Sequence, residues 1–158
     1  MRVWHCSKKR NMSSPTKTSL WQLEWDESLS VGIREIDVEH QRFIRLINEL
    51  NEAISSRMGL EEIRKRMRLI LEDAASHFAH EEALFKEWEY PEVAEHAIKH
   101  EQVIIAMNKI IGSFEHDSME YELVEAAMDI KAALIEHLLS EDMKYRDYYQ
   151  QNKSLRAE

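Results

Sequence analysis

The stretch SHFAHEEALF, residues 76–85, places two histidines and two glutamates within six positions of an otherwise amphipathic helical pattern. His77 and Glu81 are four residues apart, about 40° around a helix, so they share a face. His80 and Glu82 lean off that face, and His80 is expected to point to solvent. The shared face is otherwise apolar. Ile63, Met67, Ile70, Ala74, Phe85 and Trp88 continue it through a helix read as 60–88, with Glu61 and Glu62 suited to its first turn. A polar pair in the middle of an apolar stripe needs an explanation.

The same anomaly recurs in every other periodic segment. A helix over 38–57 carries His40 on a face with Phe43, Ile44, Ile47, Leu50 and Ile54, and Gly59 is read as its C-terminal cap. Tyr90 before Pro91 breaks the chain. A helix over 91–112 follows, with His96, His100, Val103, Met107 and Ile110 on one face and Phe114 just beyond. Asp117 and Glu120 form a capping-box pattern for a helix over 118–139, whose stripe is Leu123, Ala127, Ile130, Leu134 and His137. Ser140 interrupts that stripe. The run EDMKYRDYYQQNK then reads as a short polar helix or a frayed end. Residues 21–37 lack a helical period and read as an extended arm. The predicted fold is all-α: an up-down-up-down antiparallel four-helix bundle with an N-terminal extended arm.

Composition agrees. The chain has 158 residues, with 44% hydrophobic and 32% charged, which suits one globular domain with a single core. Its three glycines and two prolines lie outside or at the edges of the periodic runs, which favours long helices. Residues 1–20 hold five basic residues and no acid, and read as a disordered basic tail. The remaining 138 residues hold 16 basic against 30 acidic residues, a net of −14, which argues against nucleic-acid binding by the body. The body spans 21–150, and 151–158 read as a polar tail or linker. Cys6 is the only cysteine, which excludes an internal disulfide and a cysteine metal site. No apolar run approaches the roughly 20 residues of a membrane span, and no signal-peptide core is visible, so no membrane contact and a cytoplasmic address are expected. His5 falls in the tail, and His116 in a link where it is expected to be exposed.

Five histidines on the inward faces of four helices carry an energetic message. Each buried polar group without a partner costs about 1–3 kcal/mol, against about 5–15 kcal/mol of total stability for a domain. A shared metal compensates all of them at once. His96 and His100 repeat the four-residue spacing of His77 and Glu81. Asp142 lies five residues after His137, about 140° away on a regular α-helix, whereas Glu141 is at the favourable four. Spacing alone leaves both acids open. Imidazole and carboxylate donors suit iron, zinc, manganese or nickel. Five histidines and two carboxylates are too many for one tetrahedral zinc and fit two metals joined by the carboxylates.

The stretches VGIREIDVEHQRFIRLINEL, HFAHEEALF, YPEVAEHAIKH and HLLSEDMKY, in this order, resemble the hemerythrin family in its bacterial branch. WDESLSVG resembles the arm before its first helix, and the resemblance covers about 21–150. It implies two non-haem iron ions with an oxo or hydroxo bridge and O2 as the ligand. It implies His96, His100 and His137 on one iron, His40 and His77 on the other, and Glu81 and Asp142 across both, so it selects Asp142 over Glu141. Phe43, Phe78, Leu134 and Leu138 flank those positions and would line a dry O2 pocket. The family often has an aromatic residue where this chain has Ala133, which would widen the pocket or its access path. The implied function is O2 storage, transport or delivery, with no enzymatic activity, because no acid–base group is placed beside the open iron. The alternative is an O2 or redox sensor signalling to a protein partner or a fused output domain.

Overall fold

In the computed structural model, residues 22–113 and 120–152 are described. The expectations for the basic tail, Phe114, His116, the capping box at Asp117 and Glu120, and residues 153–158 fall outside the described positions or side chains. The described residues are helical, with no strand among them. Four long helices carry the body: α1 (Arg34–Ser55), α2 (Leu60–Glu87), α3 (Val93–Gly112) and α4 (Glu120–His137). Each packs on its neighbours in the chain, and α1 closes the ring against α4, as an up-down-up-down bundle requires. A five-residue π turn, Leu138–Asp142, leads from α4 into α5 (Met143–Asn152). Among the described residues no helix is long and apolar enough to cross a membrane.

The arm is not wholly extended, and α1 begins earlier than its apolar stripe suggested. Asp26 accepts a hydrogen bond from Ser28 N at 2.8 Å and caps a 3-10 turn, Glu27–Leu29. Asp37, in the first turn of α1, accepts from Val31 N at 2.8 Å and from Ser30 Oγ at 2.7 Å. That clasp holds Val31, Ile33 and Ile36 against the body, all buried. The helix therefore starts at Arg34, because tertiary burial of Ile33 and Ile36 replaces the missing period. Farther up the arm, Leu23 exchanges two hydrogen bonds of 2.8 Å with the Asn48 side chain.

The helix ends obey local chemistry with one correction. Gly59 does not cap α1. Arg57 takes the left-handed conformation (φ 53°), and Met58 N donates to Ala53 O at 2.9 Å, which closes a Schellman motif. Gly59 instead precedes α2 as its N-cap. Glu89 (φ 54°) and the Tyr90 N to Phe85 O bond of 2.9 Å repeat the motif at the end of α2.

Two apolar clusters fill the interior. The larger joins α1 to α4 through Ile47, Leu50, Met67, Ile70, Met107 and Ile130. The smaller gathers the arm, the end of α2 and α5 through Val31, Ile36, Phe85, Trp88, Tyr90 and Tyr145. Both α2 and the α4–α5 passage cross from one cluster to the other. What lies at the crossing is polar.

Candidate metal centre

His40, His77, Glu81, His96, His100, His137 and Asp142 are each at most 5% exposed. Among the described residues the only other buried polar or charged side chain is Arg64, at 9%. Each of the seven sits between an apolar residue of one cluster and one of the other. On α1, His40 lies between Ile36 and Phe43. On α2, His77 and Glu81 lie between Ala74 and Phe85. His137 and Asp142 lie between Leu134 and Tyr145.

The seven form two overlapping groups. Donor atoms of Glu81, His96, His100, His137 and Asp142 all lie within 4.8 Å of one another, and so do those of His40, His77, Glu81 and Asp142. Glu81 and Asp142 belong to both. The π turn makes this geometry. Its i→i+5 repeat brings the residue five after His137 back toward the same side. Asp142 Oδ1 comes 3.2 Å from His137 Nε2. Glu141, the rival by α-helical spacing, faces outward and pairs with Lys144 at 2.8 Å.

Internal hydrogen bonding does not satisfy this cluster. His40 Nδ1, His96 Nε2, His137 Nε2 and Asp142 Oδ1 are buried without a hydrogen-bond partner. His40 Nε2 and His77 Nε2 face each other at 3.2 Å, where at most one proton can lie between them. Orphaned buried atoms of this kind are costly in a folded protein. A cation among them would receive lone pairs from His96 Nε2, His137 Nε2 and Asp142 Oδ1 and from the facing Nε2 atoms of His40 and His77. The donor set of imidazole nitrogens and carboxylate oxygens fits a first-row transition metal such as iron.

The electrostatics favour charge in the same place. Burial and the neighbouring Asp142 push Glu81 up, yet His77, the hydrogen bond from His100 and the nearby His96 pull it down to about 2. Burial lowers the pKa of His96, but the carboxylates of Asp142 and Glu81, 3.4 and 3.7 Å from its Nε2, outweigh that and raise it to about 9. Burial also opposes ionisation of Asp142, and the rings of His137, His40 and His96, with nitrogens 3.2 to 3.4 Å away, hold it well below the usual carboxylate range. The metal-free cluster is thus two carboxylates holding protons on imidazoles. A divalent cation would displace those protons.

Acids outside the cluster aim its rings. His77 Nδ1 donates to Glu39 at 2.7 Å, which turns Nε2 inward. The other oxygen of Glu39 takes His80 Nδ1 at 2.8 Å. His100 Nδ1 donates to Glu82 at 3.0 Å. His80 and Glu82 do lean off the inward face, but they are tethered there: His80 is 34% exposed and reaches the cluster through Glu39. Tyr145, fully buried on α5, donates its hydroxyl to Glu81 at 2.5 Å. The sequence admits such a role for His80 at the edge of the stripe, with exposure preferred, and does not reveal those of Glu39, Glu82 and Tyr145. The available signals were acids adjacent in sequence to His40 and Glu81, and a tyrosine three residues after Asp142.

Four apolar residues expected beside the site are buried. The Phe43 ring meets His77 edge-on at 5.0 Å, and the Phe78 ring stacks on His100 at 3.9 Å. Leu134 belongs to the larger cluster, and Leu138 is buried next to His137. Ala133 lines an open groove between α3 and α4 of about 270 Å³, with His137, Val103 and Ala106.

Comparison with known proteins now bears on the cluster. The family model described as the Hemerythrin HHE cation binding domain matches residues 31–149. The chain belongs to the hemerythrin family. Its sequence is 29% identical to a bacteriohemerythrin of Stenotrophomonas maltophilia over 79% of this chain and 80% of the relative. It is 26% identical to a bacteriohemerythrin of Clostridium acetobutylicum over 78% of this chain and 98% of the relative. A hemerythrin-like protein of Naegleria gruberi is 29% identical over 77% of this chain and 89% of the relative. The match spans all seven buried residues of this hemerythrin, and also Glu39, Glu82 and Tyr145 around them.

Proposed function

We propose that this hemerythrin binds O2 reversibly at a pair of non-haem iron ions, for storage, transport or delivery rather than catalysis. The observation that supports this is the overlap of two buried donor groups on Glu81 and Asp142. In this reading His96, His100 and His137 would hold one iron, His40 and His77 would hold the other, and Glu81 and Asp142, which belong to both donor groups, would hold both. A ferrous pair bound there would supply the electrons that O2 binding needs. The second group offers two imidazoles where the first offers three, so room for an outside ligand lies beside His40 and His77.

The protein's own residues make that binding reversible. Phe43 against His77 and Phe78 against His100 exclude water from the site. Glu39 and Glu82 hold His77 and His100 in the tautomer that presents Nε2 inward. Tyr145 keeps Glu81 oriented between the two groups. Ala133 leaves the groove beside His137 open, a route by which a small molecule can approach.

One observation favours a second reading, an O2 or redox sensor. Asp142 closes a turn that runs without a break into α5, which packs on the arm, so a shift at the site has a path to the surface. Iron analysis with aerobic absorption spectra tests the main reading. Two irons per chain, near-ultraviolet and visible bands in air, and bleaching on deoxygenation are expected. One zinc and no colour would sink it. Hydrogen exchange in α5 that changes between the oxygenated and deoxygenated forms would support the sensor.

A further inference from the structure

The smaller cluster contains rings that lose single electrons readily, and two of them, Trp88 and Tyr145, connect with Tyr149 packed against it. Tyr145 touches the site through its hydrogen bond to Glu81, and its ring lies 5.7 Å from that of His96. Trp88 lies 6.5 Å from Tyr145, centre to centre, and Tyr149 lies 4.8 Å from Trp88. Tyr145 is fully buried, Trp88 is 8% exposed, and Tyr149 is half-buried on the wall of a surface groove beside Val38 and Glu39. The order of rings is also the order of increasing access to solvent. The larger cluster contains no buried tyrosine or tryptophan among the described residues. Any one-electron route from the site through such rings therefore leaves on the arm side.

We infer that Tyr145, Trp88 and Tyr149 form a path by which electrons enter the buried site from the surface when a peroxide reacts there. The inference rests on the iron reading above. Hydrogen peroxide accepts two electrons and two protons at the site and leaves as two waters. Each electron is replaced in single steps: Tyr145 gives one to the site, Trp88 refills Tyr145, and Tyr149 refills Trp88. The phenolic proton of Tyr145 shifts along its hydrogen bond to Glu81 and returns when the ring is refilled. Tyr149 releases its proton to solvent. A one-electron donor of the ascorbate class restores hydrogen to Tyr149 from outside. The sum is one peroxide and two donor molecules giving two waters and two donor radicals. The path spares the ligands from oxidation and adds a peroxide-consuming activity to an O2-binding site.

Two measurements test it, one without metal. In the metal-free chain, azide radicals generated by pulse radiolysis oxidise indole rings. A phase in which indole radical converts to phenoxyl radical at a rate independent of protein concentration is expected in the parent chain. That phase should be lost in both W88F and Y149F. Tyr149 is half-buried, so Y149F keeps the test usable if W88F does not fold. Persistence of the whole phase in both variants overturns the path. In the second measurement, iron-loaded oxidised protein receives hydrogen peroxide and a nitroso spin trap, and the adduct is mapped by peptide mass spectrometry. Label on Tyr149 that disappears in W88F supports the path. Equal labelling of Tyr149 in W88F overturns it. A chain that takes up no iron overturns the O2 reading, and the radiolysis result then decides the path alone.

Discussion

On one side of the seven polar residues the core is aliphatic, with Ile47, Leu50, Met67, Ile70 and Ile130 from the long helices. On the other it is aromatic, with Phe85, Trp88, Tyr90 and Tyr145 beneath the arm. The first has no polar atom to place and can be packed for stability alone. The second carries hydroxyl groups and an indole that demand partners when buried. Tyr145 finds its partner in Glu81. The aliphatic side holds the helices together, whereas the aromatic side is hydrogen-bonded into the site. The polar cluster is the boundary between the two.

The sharpest challenge to this division is Glu81→Ala. Glu81 belongs to both donor groups and accepts from Tyr145, so both metals should be lost and Tyr145 left without its partner. Metal analysis that still finds two irons would break the assignment of Glu81. Next comes Ile70→Ala, deep in the aliphatic side, which should cost about 2–5 kcal/mol in denaturant unfolding. Its folded fraction should keep full metal content, because the change leaves in place Phe43 and Phe78, the members of that cluster whose rings pack on the donors. Tyr145→Phe keeps the ring and removes a hydrogen bond to a charged group, a loss of about 1.5–3 kcal/mol. Unlike Ile70→Ala, it should also shift the visible spectrum, and an unchanged spectrum would disconnect the aromatic side from the site. Glu39→Ala should weaken metal binding roughly 10–100-fold by freeing His77, as read by competition with a chelator. Glu141→Ala should cost no more than about 1 kcal/mol and leave the spectrum alone, since its pair with Lys144 is at the surface.

The boundary also responds to pH in the metal-free chain. The pKa of His96 stands at about 9 against an ordinary 6.5, so its contribution to stability is complete below 6.5 and is lost as pH rises through 9. The melting temperature of the metal-free chain should fall over that interval. With metal bound, the proton is gone and this fall should vanish.

Much of the division is visible in the amino-acid order. His40, His77, Glu81, His96 and His100 interrupt apolar stripes at helical spacing, and helical geometry alone turns them inward. The aliphatic side is read from the same stripes. Asp142 is not, because a π turn breaks the angular rule on which the reading depends; the family resemblance had to choose it over Glu141. Glu39 and Glu82 sit one residue off the stripe, where an acid ordinarily means a solvated face. Tyr145 falls in a segment that reads as polar, and only its packing against Phe85, at 4.8 Å, shows that it is core. The early start of α1 depends on Asp37 clasping the arm, a contact with no periodic trace.

The π turn between His137 and Asp142 has a consequence for how this region can vary. A π turn holds one residue more than the α-helical turn it replaces. Were 138–142 to close into a regular α-helix with the same residues, everything after it would rotate by about 100°. Asp142 and Tyr145 would swing away from the site together, and Glu141 would take the place of Asp142. Removing one residue from 138–141 would have the opposite result: it puts Asp142 four positions after its histidine on a regular helix, about 40° away, and keeps Tyr145 in phase. Changes of side chain at exposed Leu139 or Ser140 disturb neither Asp142 nor Tyr145. The π turn therefore decides which of two neighbouring acids faces the site, and the residue it adds is one that a deletion can spare.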